Sequence, residues 1–314
     1  MPWRLAKPIV LAALPCSAWL LQSGPHEPSA SEDSCTVAAP SPDSAATCGK
    51  CHTEIYAEWK DRAHAHAWVD PVFQEALKDK KRPELCYPCH IPTPVLDKLG
   101  SKPGTRDELR DEGVTCVSCH KREQAMHGPF GAKTDAHPSE KDAAFTESGS
   151  NALCVSCHST KIGPVLPVGR DFADAKLDEQ GKSCVGCHMA EVERHLAVSM
   201  VTGQPVGEKR KGRKHDVLGP NNPDFCGKAF HVSARRDGGA IVLTVANEAG
   251  HRVPGLTLRK FLIHVRVLGG GGDVGSAGPF EIGGENELAV QEKREFRFGV
   301  SSNADQLEVD VQHV

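Results

Sequence analysis

Thirteen cysteines and sixteen histidines stand out in a chain of 314 residues. Ten of the cysteines form five C-x-x-C pairs: Cys48/Cys51, Cys86/Cys89, Cys116/Cys119, Cys154/Cys157 and Cys184/Cys187. A histidine follows each pair at once: His52, His90, His120, His158 and His188. Two thiols three residues apart can each add across one vinyl group of an iron porphyrin. The next side chain then lies under the porphyrin face, where its imidazole binds the iron. The chemistry of the motif is therefore covalent attachment of haem c, by two thioethers and one proximal ligand. Five motifs imply five haems.

Other chemistries explain the pattern less well. Zinc is held by C-x-x-C pairs in many proteins, but it does not require a histidine after every second cysteine. Disulfides do not specify the histidine either. Histidine is 16 of 314 residues, so its chance appearance after all five pairs is on the order of 10⁻⁷. No nucleophile elbow accompanies the Ser, His and Asp that are present. The proximal histidines are 38, 30, 38 and 30 residues apart, a spacing consistent with a duplicated two-site unit.

The elements that must position these sites are short. Residues 48–188 give about 28 residues per haem, too few to wrap each porphyrin separately. The haems must then pack on one another and supply much of the core. The chain has only ten Phe, four Trp and two Tyr, in keeping with a core built on a cofactor. Short helices are expected over 52–68 and 105–112, with long Pro-, Gly- and Asp-rich loops between. After residue 228 the pattern alternates. Residues 240–246, 261–267, 294–300 and 305–311 read as strands, with turns at Asp237-Gly238-Gly239 and Gly269 through Gly272. The expected fold class is mixed: a haem-organised, mainly α and loop domain over 46–227, then a small all-β, sandwich-like domain over 228–314.

Residues 1–26 read as a signal peptide. Arg4 and Lys7 precede an uncharged apolar run over 8–21 that is short for a membrane span. A disordered linker is expected over 27–45. The chain is expected to be exported to the periplasm, the cell exterior or the outer-membrane surface, touching a membrane only through partners or an uncleaved signal. The formal charge of −4 gives no sign of a nucleic-acid partner. Cys35 and Cys226 could pair as a disulfide in an oxidising compartment.

The sixth ligand of each iron decides function. A second histidine saturates the iron for electron transfer, whereas an open position allows small-molecule chemistry. Ten histidines outside the motifs and the export segment suffice for five bis-histidine sites. CGKCHTEIYAEWKDRAHAHAW (48–68) resembles the opening of multihaem c-type cytochromes of the cytochrome c-554 kind, related to the tetrahaem electron carrier of ammonia oxidisers. In that family a W-x-x-S-x-H element supplies a histidine to another haem. Tyr56, Trp59 and His64 match it, and Arg62 stands where Ser is usual. Residues 113–138, 187–195 and the GHRVP loop at 250–254 resemble the same group. The resemblance implies distal ligands at His64, His127, His137, His215 and His251, with His66 and His195 in reserve.

An electron carrier is therefore expected, with no catalytic residues assigned. Its redox partners would be other cytochromes or membrane quinol-oxidising complexes. With the leader removed the polypeptide charge is near −6, which favours basic or positively patched partners. The alternative is a multihaem reductase or oxidase of nitrogen or sulfur compounds with one open-site haem. All five motifs end in His rather than Lys, unlike the pentahaem nitrite reductases. Neither Tyr56 nor Tyr87 matches the crosslinking tyrosine of hydroxylamine-oxidising enzymes.

Overall fold

The structure is a computed structural model that describes residues 41–314. The expected signal peptide and Cys35 lie outside the described residues, as does most of the expected linker. The last residues of that linker are ordered: Ala45 is buried, and Ser44 donates to Glu112 Oε1.

The first part of the chain is a series of short helices: α1 (Ala45–Gly49), α2 (Thr53–Trp59), α3 (Pro71–Lys78), α4 (Tyr87–His90), α5 (Cys116–His120), α6 (Asn151–His158), α7 (Val168–Asp174), α8 (Cys184–His188) and α9 (Pro223–Cys226). None is long enough to be stable by itself in water. Side-chain caps start several of them. Thr115 and Ser118 form a reciprocal capping box at α5, Ser183 accepts from Gly186 N at α8, and Asp70 accepts from Phe73 N at α3. Among the described residues no helix is long and apolar enough to cross a membrane.

Two expected helices are shorter than the sequence suggests. The one over 52–68 stops at Trp59 and continues as turns, because the His64 carbonyl accepts from Val114 N at 2.8 Å. The one over 105–112 is reduced to a single 3₁₀ turn at Arg110–Glu112. Leu109 there has a left-handed backbone, and the Arg106 guanidinium takes the carbonyls of Pro92, Leu109 and Gly113. Those contacts replace the carbonyl pairing that a helix would need.

Small sheets that the alternation did not reveal lie between the helices. β1 (Lys121–Arg122), β2 (Ala125–Gly128) and β3 (Ser139–Lys141) form one. β4 (Glu191–Arg194) pairs with β7 (Arg210–Arg213), and β5 (Ala197–Val198) pairs with β6 (Pro205–Val206).

The C-terminal part is a sandwich. One sheet has the order β12-β9-β8, from β8 (Phe230–Asp237), β9 (Ala240–Asn247) and β12 (Lys293–Gly299). The other has the order β11-β10-β13, from β10 (Lys260–Gly269), β11 (Gly272–Gly283) and β13 (Gln306–His313). Alternate residues from both sheets, among them Ile241, Leu243, Val245, Phe261, Ile263, Val265, Ile282 and Leu307, form one buried core. The turn from β10 to β11 puts Gly270 and Gly271 at φ 62° and 86°, the conformation a two-residue hairpin requires. The sandwich is fastened to the helical part by Leu166 N to Gly255 O (3.1 Å) and Thr257 N to Pro164 O (2.9 Å).

Candidate metal centres

A helical turn explains why the motif can grip one group. Positions i, i+3 and i+4 share a face, so both cysteines and the histidine point the same way. Helices α5 and α8 each consist of one whole motif, and α6 ends in one. None of these cysteines is in a disulfide. The thiols of different motifs meet one another. Cys48 hydrogen-bonds Cys116, Cys89 hydrogen-bonds Cys157, and Cys154 hydrogen-bonds Cys184. The first motif thus adjoins the third, and the fourth adjoins both the second and the fifth. Cys119 is close enough to Cys154 and Cys157 to act on both electrostatically, which joins the third motif to the fourth.

Cys51 departs from this pattern. The first motif is not one helix, because α1 ends at Gly49 and leaves Cys51 on the turn before α2. That turn keeps helical pairing: Cys51 N and His52 N both donate to Cys48 O, at 3.2 and 2.9 Å, so the two cysteines still share a face with His52. The Cys51 carbonyl accepts from Val198 N at 2.9 Å and ties the turn to β5. Its half-buried thiol is free and has no hydrogen bond to another motif among the described residues, unlike that of Cys48. The tertiary structure therefore adds no partner for Cys51, and its place as a thioether anchor rests on the motif spacing alone. Cys86 and Cys187 are likewise free thiols without a partner thiol in another motif, Cys187 being exposed.

Four proximal histidines have their Nδ1 occupied. His52 Nδ1 lies 2.7 Å from Leu196 O, His120 Nδ1 2.7 Å from His127 O, and His188 Nδ1 2.6 Å from Leu218 O. His90 Nδ1 is bonded to Ala67 O. A carbonyl can only accept, so each Nδ1 carries the proton and each Nε2 keeps its lone pair for a metal.

Two imidazoles on opposite sides of one iron, each with a metal–nitrogen distance of about 2.0 Å, put their ring centres roughly 6 Å apart. Four pairs have that separation. His52 and His137 are 6.4 Å apart, His64 and His158 6.3 Å, His120 and His215 6.1 Å, and His188 and His251 6.2 Å. Each pair joins a motif histidine to one from elsewhere in the chain. Among the described residues no three or more His, Cys, Asp and Glu converge as a cage for a bare cation. Pairwise convergence suits an iron whose other four positions are porphyrin nitrogens. The donor set therefore fits haem c.

Local structure accounts for these placements. His64 sits on the turns after α2. Trp59 Nε1 donates to Val114 O at 3.0 Å, and Val114 N donates to His64 O. Gly113 has φ 55°, and a Cβ there would come within 2.4 Å of the His64 carbonyl. Only glycine lets the chain pass so close. Burial pushes the His64 imidazole down to about 4, so it is neutral at pH 7 and free to bind metal. Burial does the same for His215, also down to about 4. His251 lies on the loop between β9 and β10, and its Nδ1 is 2.7 Å from Arg252 O.

His127 departs from the expected ligand set. It is buried in β2 with Nδ1 3.2 Å from Asp142 Oδ2, and no ring contact joins it to a motif histidine. Pairing of β2 with β3 sets His127 opposite Glu140. Its part in the site is its carbonyl, which holds His120. His90 also differs from its four counterparts. No histidine among the described residues stands opposite it. The Phe73 ring stacks on it instead, with centres 3.5 Å apart and planes 5° apart. Trp68, in contact with both Phe73 and Tyr87, and Arg110 over Trp68 complete an aromatic cluster there. Of the reserves, His66 is exposed, and His195 Nδ1 lies 2.9 Å from Gly207 O. Cys226 is a free thiol beside the Pro220 carbonyl.

Comparison with known proteins agrees with this geometry. Residues 47–121 match the family model described as cytochrome c554 and c-prime. A penta-heme cytochrome c552 from Thermochromatium tepidum superposes with a TM-score of 0.61 at 17% identity, over 86% of this chain and 90% of that one. The chain therefore shares the fold of that penta-heme cytochrome. No curated protein matches this chain. The likeness to the penta-heme protein extends well beyond the family segment, so the cytochrome fold here takes in much of the sandwich as well.

Sequence reasoning missed several supporting parts of this site. The carbonyls of Leu196, Leu218, Ala67 and His127 that orient proximal rings come from remote segments and carry no side-chain signature. The ring of Phe145 on His120 (4.7 Å) and that of Phe225 by His188 (5.0 Å) are likewise set by tertiary packing. Phe73, three residues after the helix-capping Asp70, had a local signal only for its helix.

Proposed function

We propose that this chain is an exported electron carrier that binds five haem c groups. The groups are attached through the ten motif cysteines and held proximally by His52, His90, His120, His158 and His188. The observation that carries the reading is the set of four histidine pairs with ring centres 6.1–6.4 Å apart. Haem c supplies a one-electron couple when bound. His64, His137, His215 and His251 would give four of the irons a second imidazole, so that ligation need not change with oxidation state. It also holds its attachment sites in contact, in the order first, third, fourth and fifth, with the second beside the fourth. The basic, apolar-cored leader at 1–26 supports export to the periplasm. The acidic net charge supports redox partners with basic or positive patches, through contacts that weaken as salt rises.

Pyridine haemochrome assay and intact mass of exported protein test this directly. Five haems per chain are expected, with four low-spin bis-histidine signals by electron paramagnetic resonance. A colourless or zinc-loaded product from cells with an intact cytochrome c maturation system would remove the reading.

A second reading is favoured by one observation, the lack of a histidine opposite His90 among the described residues. In it the second motif's iron takes an exogenous small ligand, and the chain is a reductase or oxidase at that site. Carbon monoxide binding to one haem of the reduced protein, together with turnover of a nitrogen or sulfur oxyanion, would favour it over simple electron carriage. Failure to bind carbon monoxide would leave the carrier alone.

A further inference from the structure

Two of the four distal histidines reach their partners from beyond the last attachment site. His64 and His137 lie between motifs, so the chain on both sides of them is anchored at a motif. His215 and His251 follow Cys187 and are anchored on one side only. A ligand on such a segment must overcome more chain entropy to stay in place. At both positions the structure has a feature that His64 and His137 lack.

At His215 the feature is Arg194, whose side chain is only 6% exposed. Its Nη1 lies 2.7 Å from Glu58 Oε1 and its Nη2 3.0 Å from Glu58 Oε2, a bidentate fork. The same fork holds both handles of the ligand. Glu58 Oε2 accepts from His215 N at 2.9 Å. Arg194 Nη2 donates to Arg213 O at 3.1 Å, and that carbonyl lies 3.0 Å from His215 Nδ1. At His251 the fork is Arg252 on Asp171. Nε and Nη2 are each 2.6 Å from a carboxylate oxygen, and Arg252 N is 3.2 Å from Oδ2. The Arg252 carbonyl is the partner of His251 Nδ1. Glu58 lies on α2 and Asp171 on α7, so each fork ties a late segment back to the early helices.

Buried ion pairs add little net stability compared with apolar packing, because both charges must be desolvated. They do fix geometry, and removing one partner strands the other. We infer that Glu58 with Arg194, and Asp171 with Arg252, are positioning residues that keep His215 and His251 on the irons of the third and fifth motifs. The inference rests on the pairing of His120 with His215 and of His188 with His251.

The test uses the fully haem-loaded chain. Glu58→Ala is expected to convert one low-spin haem to high-spin or mixed spin, the same haem that His215→Ala alters. Asp171→Ala and His251→Ala should likewise share one haem, different from the first. Added imidazole should restore the low-spin signal in all four variants, which a general loss of structure would not allow. If the His→Ala variants each change one haem and the carboxylate variants change none, the positioning role is overturned and the ligand assignment stands. If His215→Ala and His251→Ala change nothing, the ligand assignment falls and the inference with it. Should Glu58→Ala fail to accumulate, Glu58→Gln keeps an acceptor for His215 N and removes the charge. A shifted midpoint potential and new cyanide binding at that one haem would support the role, and unchanged potentials with no cyanide binding would overturn it.

Discussion

The segment from α1 to α9 and the sandwich from β8 to β13 solve burial differently. In the sandwich, alternate Ile, Leu, Val and Phe residues of two sheets meet in one core, as in an ordinary β-protein. In the helical segment the fully buried apolar side chains are few and scattered, Ile91 and Leu177 among them. Its helices have four to eight residues, and its motif cysteines and histidines are half-buried or, like Cys187, exposed, rather than closed into a core. One half carries its own core in its sequence. The other carries the attachment points for a core that must be added.

The largest expected consequence concerns the added core. Without haem attachment, residues 41–227 should lose protection from proteolysis and hydrogen exchange while residues 230–313 keep theirs. Helical segments that stay protected in haem-free protein would abolish the distinction. Next comes the sandwich itself. Leu243→Ala in the β9 core should cost about 2–5 kcal/mol, seen as earlier melting of the sheet signal. The haem spectrum should change at no site other than the one His251 serves. A third test sharpens the ligand side. His64→Met should alter the spin state or potential of one haem, the one attached at Cys154 and Cys157, and leave the sheet melting transition where it was. An unchanged spectrum removes His64 from the ligand set.

The smallest effect is at the junction of the two regions. Burial opposes the charge on Asp171, but the Arg252 fork prevails and holds its carboxyl below the usual range. A folded pKa below the unfolded value means that stability is present above the ordinary Asp value of about 3.9 and fades as pH falls through the folded one. Asp171→Asn should flatten that acid limb of the melting curve. An identical acid limb in the variant would show that the contact does not couple the halves.

Much of this was legible from residue order. The ten cysteines and five proximal histidines follow from local covalent chemistry. For Cys51 that local chemistry is the whole of the case, since no other motif reaches its thiol. β9, β10, β12 and β13 follow from their alternation. β11 was not legible, because Gly272, Gly275, Gly278 and Gly283 break its apolar pattern, and it is a strand only because β10 pairs with it, from Lys260 with Gly283 to Gly269 with Gly272, with two register shifts between. β8 was hidden by Arg235, Arg236 and Asp237 on its exposed end. Of the distal histidines, His64, His137, His215 and His251 reach motif histidines. His127 has the same local appearance but is placed between carboxylates by β2–β3 pairing.

Residue order alone carries the proposed attachment of haem and the residues that would bond it, since both are properties of five consecutive residues. The tertiary structure decided which histidine faces which motif, which motif has no histidine opposite it among the described residues, and which carboxylates bond beside His215 and His251. Those facts join residues up to 157 positions apart. Contacts over that separation are fixed by how the segments pack, and nothing in their local sequence encodes the partner.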